Sequence, residues 1–287
     1  MFRQRAYSSV GVVVVGIAPA LFGVWGVAAL FALLSIVALL ELRTMFGQRN
    51  HAIIVPICAS VVLLAIIAVA ADWPGWVFSA LAAATLVVPA SALIFSRSSD
   101  GTLTSWTTTV FATIYIAVPV GHVVAVRHIV GVTSGAGGWL THLEKTLGFG
   151  AMALGLAWFL LALVTTWLTD TFAYLTGRAF GKHAMAPLIS PKKTWEGFAG
   201  GIGGAILTAV IANWCFGIGM RVIVAVLTGV LIALAATVGD LAESLLKRQT
   251  GVKDSGALIP GHGGALDRID GLLFAFIVVY YVALAVR

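Results

Sequence analysis

The sequence predicts an all-α, polytopic integral membrane protein with about nine transmembrane helices. Of its 287 residues, 60% are hydrophobic and only 10% are charged, whereas a soluble domain is about 25% charged. Apolar runs of roughly 20 residues, long enough to cross ~30 Å of hydrocarbon, recur along the whole chain. No alternating β-barrel pattern is visible, and helices satisfy their own backbone hydrogen bonds in lipid.

The first apolar stretch runs from Val10 to Leu42, with Arg3 and Arg5 before it and Arg43 after it. As a helix it would be about 50 Å long, too long for one crossing and short for two. Basic residues at both ends favour an even number of crossings, so we predict a tight helical hairpin that turns near Pro19. The same segment also resembles a signal peptide with a cleavage site, which is the alternative interpretation.

Seven further spans are predicted at 52–71, 76–95, 105–128, 147–177, 198–219, 222–247 and 265–286. A cytoplasmic N-terminus then leaves only four of the 17 Lys and Arg residues outside: Arg127, Lys145, Arg221 and Arg287. This asymmetry satisfies the positive-inside rule. The net charge of +6 fits loops that face anionic headgroups, so no nucleic acid is expected as a partner.

The carboxylates divide the chain into two parts. Residues 1–150 hold four of the 11 acidic residues, at span ends or in loops, and residues 151–287 hold the rest. We therefore predict a structural N-terminal part, 1–150, and a catalytic C-terminal part, 151–287, with cytoplasmic loops 178–197 and 248–264. The outer loop 131–146 is rich in glycine and is predicted to be flexible.

One polar helix face leads out of an apolar span. Asp240, Glu243, Ser244 and Lys247 follow one another at i, i+3, i+4 and i+7, which places them on a single face. Arg248 follows at the helix end, where cations suit the helix dipole. A solvated, ion-paired helix end would explain most of this face. A carboxylate such as Asp240 within an apolar zone is expensive, however, and favours a functional site.

A glycine-rich loop follows this helix, and further carboxylates open the next one. Its backbone N–H groups can approach anionic oxygens, and Lys253 and His262 add side-chain donors. Asp267 and Asp270 then lie at i, i+3, again on one face. Asp254 in the loop completes a set of five carboxylates that two helix ends and their connection can bring together.

Carboxylates without His or Cys partners suit hard cations, above all Mg²⁺. The predicted metal ligands, for one or two ions, are Asp240, Glu243, Asp267 and Asp270. Interleaved Lys and Arg side chains indicate a substrate that carries phosphate. This combination is typical of phosphoryl or nucleotidyl transfer.

A second polar cluster lies upstream. Asp170 stands in an apolar helix and is followed by the segment SPKKTWEG, 190–197, in which Ser190-Pro191 with Glu196 in the first turn predicts a helix start. Lys192 and Lys193 could simply anchor the inner membrane face. Their place beside a buried carboxylate favours substrate binding instead.

The C-terminal motif resembles the signature of the bacterial phosphatidate cytidylyltransferases, or CDP-diacylglycerol synthases. The matching residues are Ser244, Lys247, Arg248, Lys253, Asp254, Gly256, Pro260, His262, Gly263, Gly264, Asp267, Arg268 and Asp270. Ala265 departs from the family, which usually has a larger aliphatic residue there. The likeness is close over roughly 165–275, whereas 1–150 matches only in hydropathy.

The resemblance implies that CTP and phosphatidic acid are converted to CDP-diacylglycerol and pyrophosphate with Mg²⁺, at the cytoplasmic side of a bacterial inner membrane. The expected catalytic residues are Asp240, Lys247, Arg248, Lys253, Asp254, His262, Asp267, Arg268 and Asp270. The expected substrate-binding residues are Asp170, Lys192, Lys193, Glu196, Ser244, Gly263 and Gly264. Membrane lipid and a second copy of the chain, in a homodimer, are the other expected partners.

Two other classes of protein are alternative interpretations of the acidic residues. An ion- or proton-coupled secondary transporter would also need carboxylates within the membrane, but the charges cluster at one membrane edge and no inverted repeat is visible. Another Mg²⁺-dependent membrane phosphotransferase, of the CDP-alcohol type, would need an aspartate pattern that the sequence lacks.

Overall fold

The chain folds as a bundle of apolar helices. The computed structural model describes residues 14–47, 52–94, 101–149, 152–256 and 263–286. The helices are α1 (Gly23–Gly47), α2 (Val55–Ala70), α3 (Trp76–Ile94), α4 (Thr102–Arg127), α5 (Gly138–Thr146), α6 (Ala153–Phe180), α7 (Trp195–Phe216), α8 (Val222–Thr250) and α9 (Leu266–Ala285). Two short strands, β1 (Ala184–Ala186) and β2 (Ser190–Thr194), form an antiparallel hairpin between α6 and α7.

The prediction of an all-α polytopic membrane protein is confirmed. In the described part of the chain, six helical segments are long and apolar enough to cross a membrane, and the apolar helices α2 and α3 are shorter. Each predicted span from residue 52 onward overlaps one of the helices α2–α4 and α6–α9, with ends that differ by up to six residues. The count of nine crossings and the cytoplasmic N-terminus stay predictions.

The opening apolar stretch bends close to the predicted position. A 3₁₀ turn, Ala18–Phe22, ends at Gly23, whose φ of 72° is the left-handed region that glycine adopts easily. A Cβ on Gly26 would lie 2.1 Å from the Pro19 carbonyl oxygen, so the chain folds tightly back on itself. The segment before the turn is described only from residue 14.

Small residues let the helices of the C-terminal half approach one another closely. A Cβ on Gly204 of α7 would lie 2.3 Å from the ring of Phe172 in α6. A Cβ on Gly229 of α8 would lie 2.7 Å from the Ala205 carbonyl oxygen. Without a hydrophobic driving force between helices in lipid, such close backbone packing is the usual source of association. This close packing holds α6, α7 and α8 together, and these helices carry many of the polar residues of the C-terminal half.

The segment between α6 and α7 differs from the prediction. Ser190-Pro191 does not start a helix: both residues lie in β2, and α7 begins at Trp195. The residue before a proline avoids the α conformation, which favours an extended chain here. Thr194 is the true N-cap, since its side chain accepts a hydrogen bond from the Gly197 N–H at 3.1 Å. Glu196 does lie in the first turn, as predicted.

The predicted flexible loop 131–146 also differs, because its second half is the helix α5. Glu144 of α5 is fully buried and forms an ion pair with Arg127, at the end of α4, with 2.6 Å between Oε1 and Nη2. The guanidinium also donates to the carbonyls of Ala20 and Met152. This pair therefore joins the first turn, α4, α5 and the start of α6.

Candidate active site

The sequence-predicted polar residues gather at one end of the bundle. Helices α1, α6 and α8 end there, while α7 and α9 begin there with the β-hairpin beside them. We call this the site end, and the end that carries Arg127 and Glu144 the opposite end. Gly251, with a φ of 80°, terminates α8 and lets the chain turn toward α9.

A cavity of about 390 Å³ opens among α6, α7, α8 and the hairpin. Four predicted site residues line it: Asp170, Lys192, Lys193 and Asp240. Tyr174 and Arg178 line it as well, one and two turns after Asp170 on α6. The i, i+4, i+8 spacing of these three residues on an apolar helix was the sequence signal for them. The cavity thus combines two carboxylates with three basic side chains.

An ion pair links the hairpin to α8 across this cavity. Lys193 Nζ lies 2.7 Å from Asp240 Oδ2, and the two side chains are 26% and 37% exposed. Ser244 donates to the other oxygen of Asp240 at 3.3 Å. Because the pair is accessible from the cavity, an incoming phosphate can compete for the ammonium group.

Asp270 lies beside this cluster. A Cβ on Gly239 would lie only 2.5 Å from the carbonyl oxygen of Asp270, so α8 and α9 are in backbone contact there. The carboxylates of Asp170, Asp240 and Asp270 repel one another electrostatically. These three carboxylates lie beside the basic side chains of Lys192, Lys193 and Arg178. A cation or a basic part of a substrate would relieve the repulsion among the carboxylates.

A second cluster is centred on Lys247. Its ammonium group donates to Glu243 Oε2 at 2.9 Å and to Asp267 Oδ1 at 2.6 Å. Both partners are largely buried. Lys247 therefore joins α8 to the start of α9.

Asp267 also organises the loop that precedes α9. Its Oδ2 accepts the backbone N–H groups of Ser255 at 2.9 Å and Gly264 at 2.8 Å, and it lies 2.9 Å from the Ser255 hydroxyl. With Oδ1 on Lys247, both oxygens of Asp267 are engaged. The prediction that Asp267 is a metal ligand remains untested, and the structure gives this side chain a second role in holding the loop.

The remaining predicted residues lie further out. Arg248 donates to the Ile189 carbonyl at 3.2 Å and so touches the turn of the hairpin. Lys253, Asp254 and Arg268 are exposed near the second cluster, and Gly263 has a φ of 84°. His262 and Pro260 lie outside the described residues.

Glu196 is not among the residues that line the cavity. Its Oε1 lies 2.5 Å from His183 Nδ1, and its Oε2 accepts the N–H groups of Lys182 and His183. The carboxylate therefore fastens the hairpin to α7, and it could act on the substrate only through that attachment.

Whether Mg²⁺ fits this site depends on how many protein ligands it needs. Within the described ranges no three His, Cys, Asp or Glu side chains are grouped closely enough to hold a metal ion by themselves. Mg²⁺ is, however, usually bound by one or two carboxylates together with substrate phosphates and water. The neighbouring carboxylates of Asp240 and Asp270 meet that requirement.

Comparison with known proteins places the chain in a family. The family model of the cytidylyltransferases matches residues 3–286. The chain belongs to the cytidylyltransferase family. The resemblance drawn from the C-terminal motif is thereby confirmed, and the family match extends to the N-terminal part, where the sequence pattern alone offered only hydropathy.

Individual relatives of the chain agree with that family assignment. It is 46% identical over 120 residues to a protein named phosphatidate cytidylyltransferase from Staphylococcus epidermidis, a match that covers 42% of this chain and 46% of that one. A protein of the same name from Mycobacterium bovis is 46% identical over 129 residues, covering 44% of this chain and 42% of the relative. Each match thus spans less than half of the relative's length.

Proposed function

We propose that the protein transfers the cytidylyl group of CTP to phosphatidic acid, with CDP-diacylglycerol and pyrophosphate as products. One observation carries the proposal: in a member of the cytidylyltransferase family, an open cavity at the ends of apolar helices presents the accessible Lys193–Asp240 pair. Such a cavity suits a substrate that combines a phosphate with membrane-embedded acyl chains.

The reaction needs no covalent intermediate on the protein. A phosphate oxygen of phosphatidic acid forms a bond to the α-phosphorus of CTP, the bond from that phosphorus to the bridging oxygen breaks, and its electron pair leaves with pyrophosphate. The nucleophile is already an anion, so no base has to remove a proton. What the protein must supply is orientation and neutralisation of negative charge.

The residues of the cavity divide this task. Lys192, Lys193 and Arg178 bind phosphate oxygens, and the phosphate displaces the Asp240 carboxylate from Lys193. Lys247 is held by Glu243 and Asp267 at the neighbouring position, where it counters charge on the triphosphate. The interleaved acidic groups hold these basic side chains in place, so that little reorganisation is needed during the reaction.

We further propose that Mg²⁺ is held by Asp240 and Asp270, with Glu243 and Asp267 close by. When bound, the ion neutralises phosphate charge and orients the triphosphate. The close approach of Asp240 and Asp270 on the adjacent helices α8 and α9 supports a cation at this position. Placement of the site at the cytoplasmic face of a bacterial inner membrane follows from the charge asymmetry of the sequence and belongs to the same proposal. Association as a homodimer stays a prediction.

The test is an assay of the purified protein in detergent with labelled CTP, phosphatidic acid and Mg²⁺. We expect pyrophosphate release and labelled lipid only when all three are present, and EDTA abolishes both. Diacylglycerol, which lacks the nucleophilic phosphate, is the matched control lipid and gives no product. Folded protein that releases no lipid-dependent pyrophosphate contradicts the proposal.

A further inference from the structure

Glu41 is a buried carboxylate that the sequence placed in the structural N-terminal part. It lies in α1, six residues before that helix ends, and is only 8% exposed. Its Oε1 accepts the Ala265 N–H at 2.8 Å, and its Oε2 accepts the Leu266 N–H at 2.9 Å. More than 200 residues of sequence separate the partners. Glu41 therefore reaches from the N-terminal part into the loop that precedes α9.

These contacts cap α9 from another helix. The first N–H groups of a helix have no partner within it, and α9 has no side-chain cap from its own N-cap residue, Ala265. The Glu41 carboxylate takes that position, where negative charge also interacts favourably with the helix dipole. The cap fixes the start of the helix that carries Asp267 and Asp270.

Glu41 also meets the other side of the loop. The Ser255 hydroxyl lies 3.1 Å from Glu41 Oε2 and 2.9 Å from Asp267 Oδ2. Because a hydroxyl has a single proton, it donates to only one of these carboxylates at a time. A Cβ on Gly256 or Gly264 would lie 2.5 Å from Glu41 Oε1, so both glycines pack directly against the carboxylate.

A continuous chain of contacts leads from Glu41 to the ion cluster. Glu41 holds Ser255 and the start of α9, Asp267 holds Ser255 and Gly264, and Lys247 bridges Asp267 and Glu243. Movement of the loop would therefore shift the Lys247 ammonium group. We propose that Glu41 is a positioning residue of the active site, which sets the place of Asp267 and Lys247 without touching substrate. The inference rests on the proposed function.

The decisive variant is Glu41→Gln. It keeps the size of the side chain but turns an –NH₂ group toward backbone N–H donors, so one cap bond is lost. We expect kcat per folded molecule to fall about 10–100-fold, which is the range for residues that orient metal ligands through hydrogen bonds. The KM values for CTP and phosphatidic acid should stay nearly unchanged. Ser255→Ala, which removes only the shared hydroxyl, should lower kcat in the same direction by less.

Glu144→Gln is the matched control, because it alters an equally buried carboxylate at the opposite end. It should lower thermal stability while leaving kcat per folded molecule unchanged. A purely structural Glu41 would behave in the same way, and that result would overturn the proposal.

Hydrogen exchange gives a readout that does not depend on activity. Peptides that cover 263–270 should exchange about ten-fold faster or more in Glu41→Gln, since charge-assisted hydrogen bonds protect those amides. They should be unchanged in Glu144→Gln. Unchanged exchange in Glu41→Gln overturns the positioning role even if the wild-type protein proves inactive. Absence of pyrophosphate release by wild-type protein, in contrast, counts against the proposed function alone.

Discussion

The two ends of the bundle use the same types of charged side chain in different ways. At the opposite end, Arg127 and Glu144 are fully buried, and the guanidinium has further backbone acceptors. At the site end, Lys193 and Asp240 are partly exposed, and further carboxylates surround them. One pair is closed to solvent, whereas the other is open to a cavity and has further acidic and basic side chains beside it. Accessibility and the clustering of charged side chains, rather than the presence of an ion pair, therefore distinguish the candidate site from the opposite end.

The largest expected effect is the loss of activity in Asp240→Asn. The substitution keeps size but removes a negative charge from the proposed metal position and from Lys193. We expect turnover to fall about 10³-fold, equivalent to about 4 kcal/mol of transition-state stabilisation, with little change in thermal stability. Steady-state pyrophosphate release measures it. Asp72→Asn, at the opposite end, is the control and should match wild type; equal losses in both would remove the distinction between the ends.

The next effect concerns stability. Glu144→Gln leaves the Arg127 charge buried without its partner, which costs about 3–5 kcal/mol. Thermal unfolding in detergent should shift to clearly lower temperature while the rate per folded molecule is retained. The double variant Arg127→Met with Glu144→Leu should recover part of the loss, because no buried charge remains. A double variant less stable than Glu144→Gln would show that the backbone contacts of Arg127 matter more than its charge pairing.

A smaller effect separates two lysines of the hairpin region. Lys193→Ala removes a cavity cation, so the KM for CTP should rise about ten-fold with kcat nearly unchanged, as expected for a contact made equally in ground and transition states. Lys182→Ala removes the same charge from an exposed position that does not line the cavity, and its KM should equal that of wild type. Similar KM values in the two variants would mean that only general positive charge matters.

The smallest expected effect concerns the connection between the β-hairpin and α7. Thr194→Ala removes the N-cap of α7 and should cost about 1 kcal/mol of stability, with a modest rise in KM because β2 carries Lys192 and Lys193. Thr171→Ala is the control, since its exposed hydroxyl donates to the Trp167 carbonyl of its own helix. Thermal unfolding and CTP titrations of both variants measure the difference. Equal behaviour would show that β2 is held by its other contacts.

The sequence predicted the fold class, and several of the candidate residues that the structure brings together, for physical reasons that are local. Hydropathy reports helix spans directly, and helical spacing brings Asp240, Glu243 and Lys247 onto one face without knowledge of tertiary structure. Asp170 and Lys193 were recognised because charge beside apolar spans is expensive. Local rules were weaker between spans, where the Ser190-Pro191 pattern indicated a helix and the chain instead forms a strand.

What the sequence could not predict are contacts between distant segments. Glu41 is a lone acidic residue in an apolar helix, and the sequence around it does not indicate an interaction with Ser255 or Leu266. Arg127 and Glu144 are 17 residues apart on different elements, and the prediction of a flexible glycine-rich loop left no place for their pairing. A residue's role as a cap or a buried partner depends on which helices become neighbours, and that is set by packing.

The most direct test of the account asks whether the cavity at the site end binds nucleotide. Met185, which lines the cavity, is changed to cysteine in a protein lacking Cys58 and Cys215, and the rate of thiol labelling in detergent is measured with and without CTP and Mg²⁺. We expect CTP to slow labelling of Met185→Cys but not of Ser134→Cys at the opposite end. Equal labelling of Met185→Cys with and without CTP, in protein that still consumes CTP, would contradict the assignment of this cavity as the active site.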